Sequence, residues 1–382
     1  MTLDSATHPP SVATRRRLPG PDVVRGVALI GVVVMNYHGY LLIDGGGDTG
    51  SGWAADLFNP WTGPLSTRFA ATFVLVAGVG VTLMTNRARQ DSSATRYDAA
   101  TAHDTRDQRN VRTAMRWRLV RRGVVLYAGG VALDAAWPGT IIPFYGGMFV
   151  LAAVMFTWRS RWLVTTGVVA AALGWGLRVW RFDRAEAGES TTWLTSPPDG
   201  SPQDYVFGLW INGTHPLLPW LAFFCAGMVL GRVLHTDWWR PIALIAGTTM
   251  FGMATVISDA ASTPWSAVAL STDPLDRGGL YVLSALGTAL LAYGLLDWCA
   301  ERLPRATSPL RIAGQMTLSL YLLHILVYYI CVDWLGWIEP AGLDVALTFA
   351  LCFWVSSIAA AAVWERRFGR GPAERAYRVL GG

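Results

Sequence analysis

Seven polar or charged side chains stand where the chain is otherwise strongly apolar. Asp22, Arg25, Asn36, His38, Asp134, His215 and His324 lie within or at the ends of long hydrophobic runs. Ionisable groups are costly in such surroundings and mark sites of function by default. Arg25 and His38 are thirteen residues apart. On one helix, at about 1.5 Å per residue, that separation is roughly 20 Å. A cation at one end of such a helix could hold a phosphate-bearing molecule. An imidazole at the other end could act as a general base near neutral pH. Asp22 and Arg25 are three apart and can pair on one face. Tyr321 and His324 share a face in the same way, in Ser319-Leu-Tyr321-Leu-Leu-His324.

Each of these residues also has a plainer reading. Arg25 could be a basic anchor at the membrane surface. His38 and His324 could be hydrogen-bonded packing residues. His215, in Thr214-His215-Pro216, and Asp134 could be caps at helix ends. His8, His103 and His235 lie in polar stretches and are given no role. The four cysteines, Cys225, Cys299, Cys331 and Cys352, fall in apolar runs without metal or redox spacing and read as packing residues. No metal cluster and no Gly-rich phosphate loop is visible, so no metal is expected.

The elements that must carry these residues are transmembrane helices. The 382 residues are 52% hydrophobic and 15% charged, against about 25% charged in a soluble domain. This excludes a disordered chain, a disulfide scaffold and an ordinary soluble enzyme. All 31 basic residues are Arg, a bias that suits a GC-rich bacterial genome. They sit between apolar runs rather than in one stripe, so no nucleic-acid partner is expected. Ten runs approach the twenty or so residues that cross a bilayer: 23–43, 67–86, 120–137, 140–158, 162–180, 215–234, 239–258, 279–298, 313–333 and 343–364. The expected fold is therefore all-α, a polytopic membrane bundle of about ten transmembrane helices. With a cytoplasmic N-terminus, 26 Arg fall inside and 5 outside, a bias that puts both termini in the cytoplasm. Residues 1–17 read as a disordered cytoplasmic tail without a signal-peptide pattern. Residues 18–382 form the membrane domain, and 87–118 read as a flexible cytoplasmic loop. Two long outer loops, Leu42–Ser66 with Trp61 and Arg181–Thr214, are rich in Gly, Pro and Trp. They could hold a sugar or glycolipid, or simply lie on the membrane.

Several blocks together resemble one superfamily. Leu18-Pro-Gly-Pro-Asp22-Val-Val-Arg25-Gly26-Val-Ala-Leu is similar to its signature L-D-x-x-R-G-x-A-L, with Asn36-Tyr37 following. Arg121-Arg122 and then Tyr145-Gly146 look like its R-R…Y-Y-G stretch. His215-Pro-Leu-Leu-Pro-Trp220, Gly227 to Arg232, the Ser319–His324 block and Gly371-Pro372-Ala-Glu374 follow in the family order. The chain resembles the YeiB-like bacterial membrane proteins, related to heparan-α-glucosaminide N-acetyltransferase and more distantly to the acyltransferase-3 membrane proteins. In the latter a His stands eleven residues after the signature Arg; here that place is Asn36, and His38 comes two later.

The resemblance implies an acyltransferase of the bacterial inner membrane. Acyl-CoA, expected to be acetyl-CoA, binds from the cytoplasm as co-substrate. The acyl group passes to a cell-envelope glycan or glycolipid on the outer side. On this reading His38 is the general base, Asn36 and Tyr321 hydrogen-bond the thioester oxygen, and His324 orients or shares protons. Arg25, Arg121 and Arg122 hold CoA phosphates. Asp134, His215 and Trp61 face the acceptor. Direct transfer is favoured over an acyl-His intermediate, although the sequence does not separate them. A homodimer is compatible with the sequence and not required by it. The rival readings are a proton-coupled exporter of a small metabolite or lipid, and a non-catalytic scaffold or sensor.

Overall fold

A computed structural model describes residues 18–45, 50–94 and 102–382. It is 77% helical, and no strand occurs among the described residues. The helices are α1 (Gly20–Gly45), α2 (Trp53–Leu57), α3 (Arg68–Ala94), α4 (Ala102–Asp134), α5 (Ile142–Met155), α6 (Ser160–Glu186), α7 (Thr192–Thr195), α8 (Pro202–Phe207), α9 (Leu217–Val233), α10 (Trp239–Asp259), α11 (Pro264–Ala269), α12 (Gly279–Arg302), α13 (Ser308–Gln315), α14 (Thr317–Tyr328), α15 (Leu343–Phe368) and α16 (Pro372–Gly381). Single π-helical turns continue α8 over Gly208–Asn212 and α14 over Tyr329–Trp334.

Seven helices among the described residues are long and apolar enough to cross a membrane. They are α1, the Arg68–Asn86 part of α3, α6, α10, α12, α14 with its π turn, and α15. An eighth arises if Pro202–Asn212 and Leu217–Val233, bent by 54°, count as one span. The chain is a multi-pass membrane protein. Of the ten expected runs, 215–234 passes only as part of that bent pair, and two more fall short. The run in α4 includes Arg121 and Arg122. α5 has only 14 residues, or about 21 Å against roughly 30 Å of hydrocarbon.

The flexible loop expected over 87–118 is also corrected. α3 continues to Ala94 and α4 begins at Ala102. Arg and Ala are the commonest residues of this stretch and are strong helix formers, so low hydrophobicity does not unwind it. Of that loop only residues 95–101 lie outside the described residues, as does the tail assigned to 1–17.

α1 and α3 are the most enclosed spans, each 61% buried, while α6 and α10 are 17% buried and form the periphery. Small residues allow the inner helices to touch. A methyl group on Gly314 would stand 1.7 Å from the Asp22 carbonyl oxygen, which presses α13 onto α1. Gly20, at the start of α1, lies against Asp297 near the end of α12. Tyr37 stacks on Phe349 at 4.2 Å, and Gly45 meets Pro340 just before α15. α15 therefore runs antiparallel to α1, and the last turns of α12 and α15 share the N-terminal end of α1.

Candidate active site

Two cavities follow α1 in succession. The first, of about 290 Å³, lies near its N-terminal end and is lined by Arg25, Arg122, Thr317, Glu374 and Tyr377 together with apolar side chains. The second, of about 140 Å³, is lined by Asn36, Pro60, Thr67, His215 and neighbours. Only Ile141 and Tyr321 line both. The eleven residues from Arg25 to Asn36 rise about 16 Å, so one helix presents a cation to the first cavity and an amide to the second.

The partition between the cavities is held by hydrogen bonds. Tyr321 Oη lies 2.9 Å from Thr140 Oγ1. Asp134 Oδ1 accepts from the backbone N–H of Gly139 at 2.8 Å and of Thr140 at 3.2 Å. Asp134 itself is exposed and lines neither cavity. Its geometry is that of a clamp on the turn bearing Thr140 and Ile141, and the acceptor-facing role expected from sequence is not visible in it.

Behind this partition sits His324, with no solvent exposure. Its Nδ1 meets the Tyr321 carbonyl oxygen. A carbonyl only accepts, so in the neutral ring Nδ1 carries the proton and Nε2 the lone pair. The Asn36 amide Nδ2, 3.3 Å from Nε2, is then the donor. That bond is longer than the usual 2.9–3.0 Å. Tyr37 Oη donates to the His324 carbonyl at 3.0 Å, and Trp137 and Tyr321 enclose the ring at 5.8 and 4.8 Å. The structure thus joins three of the four catalytic candidates, Asn36, Tyr321 and His324.

His38 stands apart. Two residues after Asn36, it points about 200° around the helix. It is fully buried and its Nδ1 donates to the Phe58 carbonyl at 2.7 Å. Among the described residues its Nε2 has no hydrogen-bond partner, and the residue lines neither cavity. Trp61 is also absent from both linings. Its backbone N–H is held by Asn59 Oδ1 at 3.0 Å, in a turn that presents Pro60 to the second cavity. His215 does line that cavity, edge-on to Trp220 at 4.6 Å.

The cations divide similarly. Arg25 lines the first cavity with Asp22 3.7 Å away. Arg122 lines it too, with Nη1 2.8 Å from the Met84 sulfur and its guanidinium 5.5 Å from the Tyr377 ring. Arg121 is exposed and lines neither. Burial raises the Tyr377 phenol above its ordinary value, partly offset by Arg122, so Tyr377 stays neutral beside the cation. Among the described residues no group of His, Cys, Asp and Glu could hold a metal ion.

A family model described as heparan-alpha-glucosaminide N-acetyltransferase, catalytic, matches residues 17–261. The chain belongs to this family. It is thus a member of a family of membrane N-acetyltransferases, and nothing in the match supports the exporter alternative. A second family model, of a protein of unknown function called DUF418, matches residues 221–381. No curated protein matches the chain. Asn36 comes from the acetyltransferase match, and Tyr321 and His324 from the second region alone. The cluster joins the two parts.

Sequence reasoning assigned no role to Glu374 or Thr140. Glu374 Oε1 accepts from the backbone N–H of Leu318 at 2.7 Å and of Ser319 at 3.2 Å, and Oε2 meets the Ser319 hydroxyl. A carboxylate so placed caps the N-terminus of α14, the helix bearing Tyr321 and His324. The signal was present, because Gly371-Pro372-Ala-Glu374 and Ser319–His324 are two of the blocks that carry the family resemblance. Their contact was not legible. Thr140 had no signal.

Proposed function

We propose that the protein transfers an acetyl group across the membrane, from acetyl-CoA on the cytoplasmic side to an amine or hydroxyl of a cell-envelope glycan or glycolipid on the outer side. The observation that carries this reading is the pair of cavities sharing one partition, Ile141 and Tyr321. A donor entering one and an acceptor entering the other meet at Tyr321 and Asn36. The Arg-rich end of α1 is cytoplasmic on this reading, in the inner membrane of a bacterium.

The fit to the donor is specific in kind. At about 290 Å³ the first cavity is at the lower limit of small-molecule sites. It suits a slender thioester arm, with the nucleotide left at the mouth near Arg25 and Arg122. Acetyl-CoA supplies the activated acyl group. Asn36 and Tyr321 face the place where the carbonyl oxygen gains charge and can donate to it. His324 Nε2 holds the one lone pair in the cluster aimed at a cavity-lining side chain. When the acceptor exchanges for the Asn36 amide, Nε2 takes the acceptor proton as its nitrogen or oxygen attacks the acetyl carbon. The carbon–sulfur bond breaks, and the imidazolium returns a proton to the thiolate. His215 and Thr67 line the acceptor side. No step needs a covalent acyl-His.

A second reading makes His38 the base, on the ground that its Nε2 is buried without a partner among the described residues. Neither histidine lines either cavity, but His324 Nε2 is hydrogen-bonded to the cavity-lining Asn36, which favours His324. The test is acetyl-CoA binding and acetyl transfer to glucosamine-terminated glycans by the protein in lipid nanodiscs. Saturable binding, weakened by about tenfold or more in Arg25→Ala, supports the reading. A well-folded protein that binds no acyl-CoA overturns it.

A further inference from the structure

Away from the active site, two apolar grooves of nearly equal size open toward lipid. One, of about 800 Å³, lies between α6, α9, α10 and α12, and no charged residue lines it. The other, of about 810 Å³, lies between α1, α13 and α15. Its walls include Ile30, Val34, Leu351 and Val355, and it also contains Arg305, Ser308 and Arg366. Leu351 and Val355 are each 65% exposed, so the groove is open along its length. From Leu347 to Arg366 it follows α15 for about 28 Å.

Both cations of this groove lie at one end. Arg366 is in the last turn of α15, and Arg305 is in the turn after α12. Those ends share the N-terminal end of α1. Neither guanidinium has a carboxylate or hydrogen-bond partner among the described residues, although Arg240, at the same end, pairs with Asp297 and Glu301. An apolar trough closed at one end by two unpaired guanidiniums and a hydroxyl has the polarity of an anionic phospholipid. Acyl chains match the trough, and a phosphate headgroup matches the cations.

We propose that the groove between α1, α13 and α15 is a binding site for an anionic phospholipid of the cytoplasmic leaflet, its phosphate held by Arg305 and Arg366. The uncharged groove is the internal control: it fits lipid chains of any headgroup. α1 and α13 both wall the site, so bound lipid steadies the crossing of α13 over α1 at Gly314. This inference does not depend on the acetyl-transfer reading.

The test is lipid retention by the full-length protein after purification in mild detergent, read by native mass spectrometry, with thermal melting in nanodiscs. The wild type should retain phosphatidylglycerol over phosphatidylcholine and melt higher in phosphatidylglycerol nanodiscs. At about 1 kcal/mol per surface cation, Arg305→Gln with Arg366→Gln should lower that preference by about tenfold or more. Ala359→Phe, which fills the trough and keeps both cations, should also lose retention. Equal retention of the two lipids by the wild type overturns the proposal. So does an unchanged preference in the double variant. A melting increase reproduced by inorganic phosphate alone would show a free-anion site and overturn the lipid assignment.

Discussion

His38 and His324 are both fully buried histidines in apolar helices, yet their surroundings differ in the one respect that matters for chemistry. Around His324, the Nε2 lone pair is directed at Asn36, which lines a cavity, and the ring packs on Tyr321, which lines two. Around His38, Nδ1 is tied to the Phe58 carbonyl and neither cavity is reached. Residue type and lack of solvent exposure are the same. On the proposed function, what would separate a reactive imidazole from a packing one is whether its free nitrogen is coupled to space a substrate can enter. Asn36 makes that coupling. The imidazole reaches Asn36 from α14.

The sharpest way to break this comparison is to remove each ring. His324→Ala should lower the rate of acetyl transfer by about 10²–10⁴, the usual worth of a general base. His38→Ala should lower it by less than about tenfold, as loss of packing does when the protein still folds. Rates and melting temperatures of both variants, measured in the same nanodiscs, decide the matter. Equal losses of rate, or a larger loss in the His38 variant, would transfer the base to His38.

The cations offer a second comparison of smaller effect. Arg25→Ala and Arg122→Ala should each raise KM for acetyl-CoA by about tenfold or more, as loss of a charge-assisted phosphate contact does. kcat should change little, because the nucleotide end is remote from the reacting atoms. Arg121→Ala, on the exposed side of α4, should leave both constants near wild type. A KM effect in Arg121→Ala equal to that in Arg122→Ala would show that the donor approaches by another route.

The smallest effect is expected at Glu374. Glu374→Gln keeps an acceptor but removes the charge that caps α14, and should cost about 1 kcal/mol of stability. A lower melting temperature is the expected outcome. Rescue by Glu374→Asp should be partial, because the shorter side chain reaches Ser319 less well. An unchanged melting temperature in Glu374→Gln would mean that packing alone holds α14.

Much of the architecture was legible because membrane helices must satisfy their backbones internally and cover their outer faces with apolar groups. Composition and run length therefore pointed to a helical membrane bundle, and every expected run corresponds to helix. Count and continuity were less legible. The 33-residue α4 begins in a charged stretch that hydropathy separates from the span, and α5 ends after 14 residues. Neither boundary depends on polarity alone. In the candidate site, the polar residues could be singled out from their cost of burial, but not their partners. Asn36 and His324 are 288 residues apart, and Ser319 and Glu374 are 55 apart.

The sequence alone determined a membrane-spanning, all-helical chain with family motifs in order and with few polar groups where polar groups are costly. Those properties follow from solvation, which acts on each residue locally. Only the tertiary structure decided that His324 rather than His38 is coupled to a cavity and that Asp134 clamps a turn. It alone showed Glu374 capping α14 and two cavities meeting at Tyr321. Each of these depends on how helices distant in sequence cross, and crossing is set by close packing at small residues such as Gly314, where a single methyl group has no room.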